Sequence, residues 1–272
     1  MQTLILKMWI PSMKRIKLTV AYDGTTYCGW QLQPGHPTVE EVLNITLSSL
    51  LKEDIAVIGA SRTDSGVHAL GNVAVFDTEN RMTASKISPA LNQRLPDDIR
   101  VLSSVEVSPD FHPRRVPSLK TYEYHIQNRK IAIPTERLYA AFIYYKLDVS
   151  LMQSAADYLV GEHDFKSFCS VKTQTISTVR TIHHIEVTRS GDIVTISITG
   201  GGFLYNMVRI IVGTLMKVGR GKYPPEHVKE ILEGLDRGLA GPTALPEGLT
   251  LVKIEFPDDI PIEVLAENAE DD

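Results

Sequence analysis

The 272-residue sequence predicts an α+β fold made of two ferredoxin-like halves. Three observations lead there. Residues 14–107 read as strand, helix, two strands, helix, strand, the split order of that fold, which favours an antiparallel or mixed sheet with helices on one face. A hydrophobic share of 43% over this length can bury a large core, in one large domain or two of ordinary size. The segments after residue 120 follow the same plan again, although no residue-level repeat is visible.

Lys14 to Tyr22 alternates, with Ile16, Leu18, Val20 and Tyr22 on one face and Arg15, Lys17 and Thr19 on the other, as a half-buried strand does. Asp23-Gly24 ends it. Tyr27 and Trp30 follow in a glycine-containing loop, where either ring could stack on a base or fill the core. Thr38 with Glu41 three residues on forms a capping box, and Val39, Val42, Leu43, Leu47, Leu50 and Leu51 give the helix one apolar stripe. Ile55 to Ala60 reads as a buried strand that turns polar at once and reaches a turn at Ser65-Gly66. If the chain stays extended there, Arg62 and Asp64 share one side and Thr63 faces the other. An adjacent guanidinium favours an ionised carboxyl, which makes Asp64 a candidate nucleophile or general base. A structural ion pair at a strand end is the competing reading. Gly59, Gly66 and His68 crowd the same stretch, as close approach by a ligand would require.

Asn72 to Asp77 is a further strand, Thr83 to Arg94 a helix interrupted by Pro89, and Val101 to Val107 a strand. Asp110 to Pro117 reads as a linker whose Arg114 and Arg115 can fork onto phosphates or merely be solvated. Lys120 to Ile126 is a strand with Tyr122, Tyr124 and Ile126 on one face. Asp148 caps a helix that Gly161 ends, and Glu162 to Cys169 reads as a structural corner, because His163 and Asp164 lack further ligands at metal spacing. A hairpin over Arg180–Thr199 leads into the glycines before a helix that carries Arg209 among Met207, Val208, Ile210 and Ile211. A guanidinium so placed needs a partner, and Asp64 is the candidate. Pro224 to Leu235 is a helix and Leu249 to Phe256 a final strand.

Gly59-Ala60-Ser61-Arg62-Thr63-Asp64-Ser65-Gly66-Val67-His68-Ala69 resembles the G-A-x-R-T-D-x-G-V-H-A signature of the tRNA pseudouridine synthase A family. Tyr22 to Gln31, the K-x-Y-x-Y-x-I strand at Lys120, the segment 161–168, the run from Gly200 to Arg209 and the loop Ala240–Ala244 resemble family elements too. The resemblance implies the pseudouridine synthase fold, with two ferredoxin-like or RRM-like halves meeting at a central cleft. It places the catalytic carboxylate on Asp64, its arginine partner on Arg62 and the substrate-stacking ring on Tyr122, with Arg209 beside them. It implies an isomerase that converts uridine to pseudouridine at positions 38, 39 and 40 of the tRNA anticodon stem-loop, working as a homodimer. That reaction breaks the N1–C1′ bond, turns the uracil and rejoins it through C5 without redox change, so no cofactor is expected. Asp64 could attack C1′ or remove the 2′ proton.

Composition limits the alternatives. Two cysteines, Cys28 and Cys169, show no zinc spacing and suit a reducing compartment. The apolar run in residues 1–13 is too short for a membrane span and has no cleavage pattern; it reads as an extension, and the cytoplasm is the expected compartment. Net charge is −5, yet basic residues number 6 against 8 acidic in residues 1–80, 19 against 12 in 81–222 and 3 against 13 in 223–272. The middle can thus face a polyanion despite the total. We expect halves at 14–112 and 113–256 and a mobile acidic tail over 257–272. A non-catalytic RNA-binding module would use the same arginines and aromatics without Asp64. A metal-dependent phosphoryl-transfer enzyme would draw on Asp23, Asp64 and Asp77, though none of them forms a close pair.

Overall fold

The computed structural model describes residues 13–171 and 175–257. The expected extension, apart from Met13, and the acidic tail beyond residue 257 lie outside the described residues. The first half runs β1 (Lys14–Tyr22), α1 (Val39–Leu51), β2 (Ile58–Gly59), β3 (His68–Thr78), α2 (Ala84–Asn92) and β4 (Ile99–Val107). The second runs β5 (Leu119–Asn128), β6 (Ala141–Ile143), α3 (Val149–Ala156), β7 (Gly161–Asp164), β8 (Val179–Ser190), β9 (Ile193–Gly200), α4 (Met207–Gly219), α5 (His227–Gly234) and β10 (Leu249–Glu255).

One sheet holds all of these strands, in the order β4-β1-β3-β10-β5-β9-β8-β7, with β2 beside β3 and β6 beside β5. With the short β6 and β7 set aside and the rest numbered within each half, β4-β1-β3-β2 and β10-β5-β9-β8 are the same sequence of fourth, first, third and second strand. The repeat invisible in the residues is therefore present in the topology. Pairing is antiparallel except for β10 on β3 and β6 on β5. One edge of β3 is shared: Val75 and Ala74 take β2, while His68 and Ala69 take β10. Because β2 has only two residues, the rest of that edge is left for the last strand of the other half. The chain from Ala60 to Val67 leaves the sheet between these two partners.

Local chemistry explains the elements. Ile16, Leu18, Val20 and Tyr22 are buried on one face of β1, and they join Leu43, Leu47 and Leu51 of α1 in a core continuous through both halves. Thr38 caps α1 by accepting the Glu41 N–H. Pro89 sits inside α2, and the helix opens one turn earlier: the Ser104 hydroxyl accepts the Ser88 N–H at 2.9 Å and donates to the Ala84 carbonyl at 2.6 Å, bridging the pair an unbroken helix would join directly. The expectation of a strand over Ile55–Ala60 is corrected. Only Ile58–Gly59 is strand, because α1 takes the backbone before it: Ser48 Oγ accepts the Ile55 N–H and Asn44 Oδ1 the Val57 N–H. Among the described residues no helix is long and apolar enough to cross a membrane.

Candidate active site

The segment 60–67 is held from both sides, and its alternation decides what faces outward. Ser61 and Thr63 are buried; Ser61 Oγ meets the Tyr122 hydroxyl at 2.8 Å and Thr63 Oγ1 the Tyr22 hydroxyl at 2.7 Å. Asn72 donates to the Ser61 carbonyl at 3.1 Å, and the Thr63 carbonyl accepts the Trp30 N–H at 3.1 Å. With Ser61 and Thr63 turned in, Arg62 and Asp64 project to the other side. A turn closes from the Asp64 carbonyl to the Val67 N–H, with Gly66 at φ 76°, a conformation other residues adopt at a cost.

Asp64 opens into a cleft of about 1170 Å³. Its partner there is Arg209, near the start of α4, whose Nη1 lies 3.4 Å from Asp64 Oδ2. The same guanidinium donates to Asn206 Oδ1 at 2.9 Å and to the Ala244 carbonyl at 2.8 Å, so its direction is fixed by protein. The loop Ala240–Ala244 can reach it because the loop is hydrogen-bonded onto α4: the Gly241 N–H donates to the Thr214 side chain at Oγ1 and the Ala244 N–H to the Arg209 carbonyl. Burial pushes the Asp64 carboxyl above the usual carboxylate range, and Arg209 pulls it part of the way back.

Both Arg62 and Arg209 were expected beside Asp64; the pairing with Arg209 is found, and the one with Arg62 is corrected. Arg62 is exposed and lines the cleft, but the cation within ion-pair distance of Asp64 is Arg209. Tyr122 reaches the same cleft from β5, packed edge-on against Phe203 at 5.2 Å. Burial pushes its hydroxyl up to about 12, so it stays protonated at neutral pH. Asp64 and Arg62, Tyr122, and Arg209 are thus brought together from three separate stretches of chain. The meeting point is the seam where β10 lies between β3 and β5, with Leu251 opposite both Ala69 and Tyr122.

Other candidates fall away from the cleft or into the core. Trp30 is 1% exposed and Tyr27 7%, the latter's hydroxyl bound to Asp98 at 2.7 Å, so neither ring is free to stack on a base. Gly59 is small for the sake of Trp30, whose indole would lie 2.3 Å from any Cβ there, and not for a ligand. His68 is buried and accepts the Gly24 N–H on Nδ1. His163 and Asp164 make local turn contacts with Val160, Lys166 and Thr178. Asp77 is gripped by both ends of the Arg15 fork and Asp23 by Thr25 and Tyr139, so they stand apart from Asp64. Among the described residues no group of three His, Cys, Asp or Glu side chains is placed to hold a metal ion.

Sequence reasoning missed Ser61, Asn206 and Lys120. The alternation around Thr63 could have pointed to Ser61. Asn206, three residues before Arg209, could have been read as a local acceptor for that guanidinium, whereas Lys120 is placed by a contact across a long stretch of chain. Of the cleft's described lining, Asp64 is the sole carboxylate, against Arg62, Arg114, Arg115, Lys120 and Arg209.

Comparison with known proteins gives the family. A family model described as tRNA pseudouridine synthase matches residues 18–114 and 155–257, more than half of the chain. The chain belongs to that family. Curated relatives named tRNA pseudouridine synthase A, from Thermoanaerobacter sp. and Brevibacillus brevis, are each 46% identical over 244 residues, which is 90% of this chain and 100% of theirs. One from Clostridium perfringens, named tRNA pseudouridine synthase A 2, is 44% identical over the same span. As a pseudouridine synthase the protein is an isomerase. Among solved structures, a Cbf5-Nop10-Gar1 complex matches with a TM-score of 0.34 at 13% identity, covering 74% of this chain and 45% of that one, a likeness too slight to add to the assignment.

Proposed function

We propose that the protein isomerises uridine to pseudouridine at positions 38, 39 and 40 of the tRNA anticodon stem-loop, with Asp64 as the reacting group. The observation that carries this reading is a lone carboxylate, aimed by Arg209 and sharing its cleft with Tyr122, where the other charged residues of the described lining are all cations. A polyanion is drawn to such a lining, and a single base can then be presented to a single carboxylate. Everting that base costs a few kcal/mol, which phosphate contacts along the cleft offset. At about 1170 Å³ the space exceeds that of a typical small-ligand pocket, as an everted nucleotide with flanking chain requires.

In this reading Asp64 acts as a carboxylate at C1′ or at the 2′ proton, and Arg209 keeps it ionised in spite of burial. Tyr122 holds the freed uracil while it turns, its ring braced by Phe203 and its hydroxyl by Ser61. Arg62, exposed at the mouth, meets the RNA rather than Asp64. The halves 14–112 and 113–256 flank the RNA, a homodimer lets one subunit hold the tRNA body while the other presents Asp64, and the cytoplasm is the place of work. Asp64→Ala tests the reading: tRNA binding and the melting temperature are expected to persist while tritium release from uracil C5 is abolished. Retained release would refute the assignment.

A further inference from the structure

Arg209 has its anion in Asp64, but Lys120 and Arg114 of the cleft lining, and Arg180, which reaches the lining residue Thr175, have none. Lys120 Nζ donates to the Ala60 carbonyl at 3.2 Å, which uses one of its three N–H groups. Arg180 donates to the Ser177 carbonyl and Thr175 Oγ1, both neutral. The Arg114 side chain is exposed at the cleft wall. Among the described residues no carboxylate comes within ion-pair distance of any of the three.

We propose that Lys120, with Arg114 and Arg180 beside it, seats a backbone phosphodiester of the RNA next to the everted nucleotide. This deepens the RNA reading given above and rests on it. Lys120 precedes Tyr122 by two residues on β5, so the two share a face, roughly 7 Å apart along the strand. Together they grip consecutive residues of the Asp64 segment, Lys120 the Ala60 carbonyl and Tyr122 the Ser61 hydroxyl. A phosphate at Lys120 therefore lies on the order of one nucleotide from a base at Tyr122.

The electrostatics fit a missing anion. Burial pushes the Lys120 ammonium below its ordinary range, and Arg114 and Arg180 add repulsion; burial likewise lowers Arg180. Crowding cations without a counter-ion is unfavourable, and the charge of a bound phosphodiester offsets both the burial and the repulsion. Three cations from β5, from the 110–117 linker and from the start of β8 converge as phosphate recognition requires, with two arginine forks among them. As a positioning group, Lys120 fixes the chain so that the base falls on Tyr122.

The test is a binding cycle in the Asp64→Asn protein, which needs no turnover, using an anticodon stem-loop RNA with single methylphosphonate linkages placed in turn around the target uridine. Lys120→Gln is expected to weaken binding about tenfold and to flatten the slope of log K against log salt by roughly 0.7–0.9. One linkage is expected to weaken the parent when neutralised yet add nothing in Lys120→Gln. Lys120→Arg should restore the slope, and Arg114→Gln, a change at an exposed side chain, should couple to the same linkage even if Lys120→Gln folds poorly. An unchanged slope, or linkages that penalise parent and variant alike, overturns the seat. Turnover by the wild type is measured separately. Pseudouridine formed without any coupled linkage rejects the seat and keeps the reaction; a coupled linkage without pseudouridine keeps the seat and rejects the reaction.

Discussion

Replacing Arg209 by glutamine removes the charge that opposes the burial of Asp64 while keeping much of the side chain's length. The wild-type guanidinium stands 3.4 Å from Asp64 Oδ2 and is itself only 15% exposed. Burial already raises the Asp64 pKa and Arg209 lowers it, so the variant's pKa must rise further. At any pH near neutral a smaller fraction of Asp64 is ionised. A hydrogen bond to a charged group in such a setting contributes about 1.5–3 kcal/mol, which corresponds to a roughly ten- to hundredfold loss of kcat/KM at neutral pH. The sign is diagnostic: the acidic limb of the profile moves to higher pH, and raising the pH restores part of the loss. Tritium release from tRNA, measured from about pH 5 to 9, separates the outcomes. A uniform drop at every pH, or a limb displaced to lower pH, refutes the claim that Arg209 acts by holding Asp64 ionised.

Other outcomes follow from the same geometry. Tyr122→Phe keeps the ring but strips Ser61 Oγ of its buried partner, so thermal unfolding should show a loss of about 1 kcal/mol while most turnover remains, whereas Tyr122→Leu should lose turnover; equal activity of the two would exclude a stacking role. Gly59→Ala places a Cβ 2.3 Å from the fully enclosed Trp30 indole, and a cost of about 1–3 kcal/mol should lower the melting temperature by several degrees. Asp64→Asn should be no less stable than wild type at neutral pH. Because the folded pKa of Asp64 lies above its unfolded value, the unfolded chain releases this proton first, and the wild type loses stability as pH rises through that window. Below the unfolded pKa the difference between the two proteins vanishes; melts at about pH 3 and 8 check it.

What could be read from the residues was local. Alternation fixed the buried face of β1, and Thr38 with Glu41 fixed the start of α1, since both signals act over a few neighbours. The need of Arg209 for an anion was also legible, because a guanidinium among apolar helix residues cannot stand alone. Adjacency in sequence misled at Arg62: two side chains on one side of an extended segment need not touch, and the nearer cation comes from 145 residues away. The apolar run at Ile55–Ala60 looked like a strand because burial was visible and the side-chain acceptors Asn44 and Ser48 were not. Lys120 was visible as the first residue of its strand motif but not as a site, since the Ala60 carbonyl and Arg180 beside it lie sixty residues off in the chain on either side.

The division of the β3 edge between β2 and β10 has a consequence for how the enzyme is born. The signature segment leaves the ribosome early, but the neighbour that walls its pocket is translated nearly last. Until Leu249 to Glu255 emerge, the backbone at His68 and Ala69 has no mate on that side, and Ala69 cannot be brought across from Tyr122. A nascent chain can therefore hold every residue of the reaction and still be inert, and competence arrives with its closing strand.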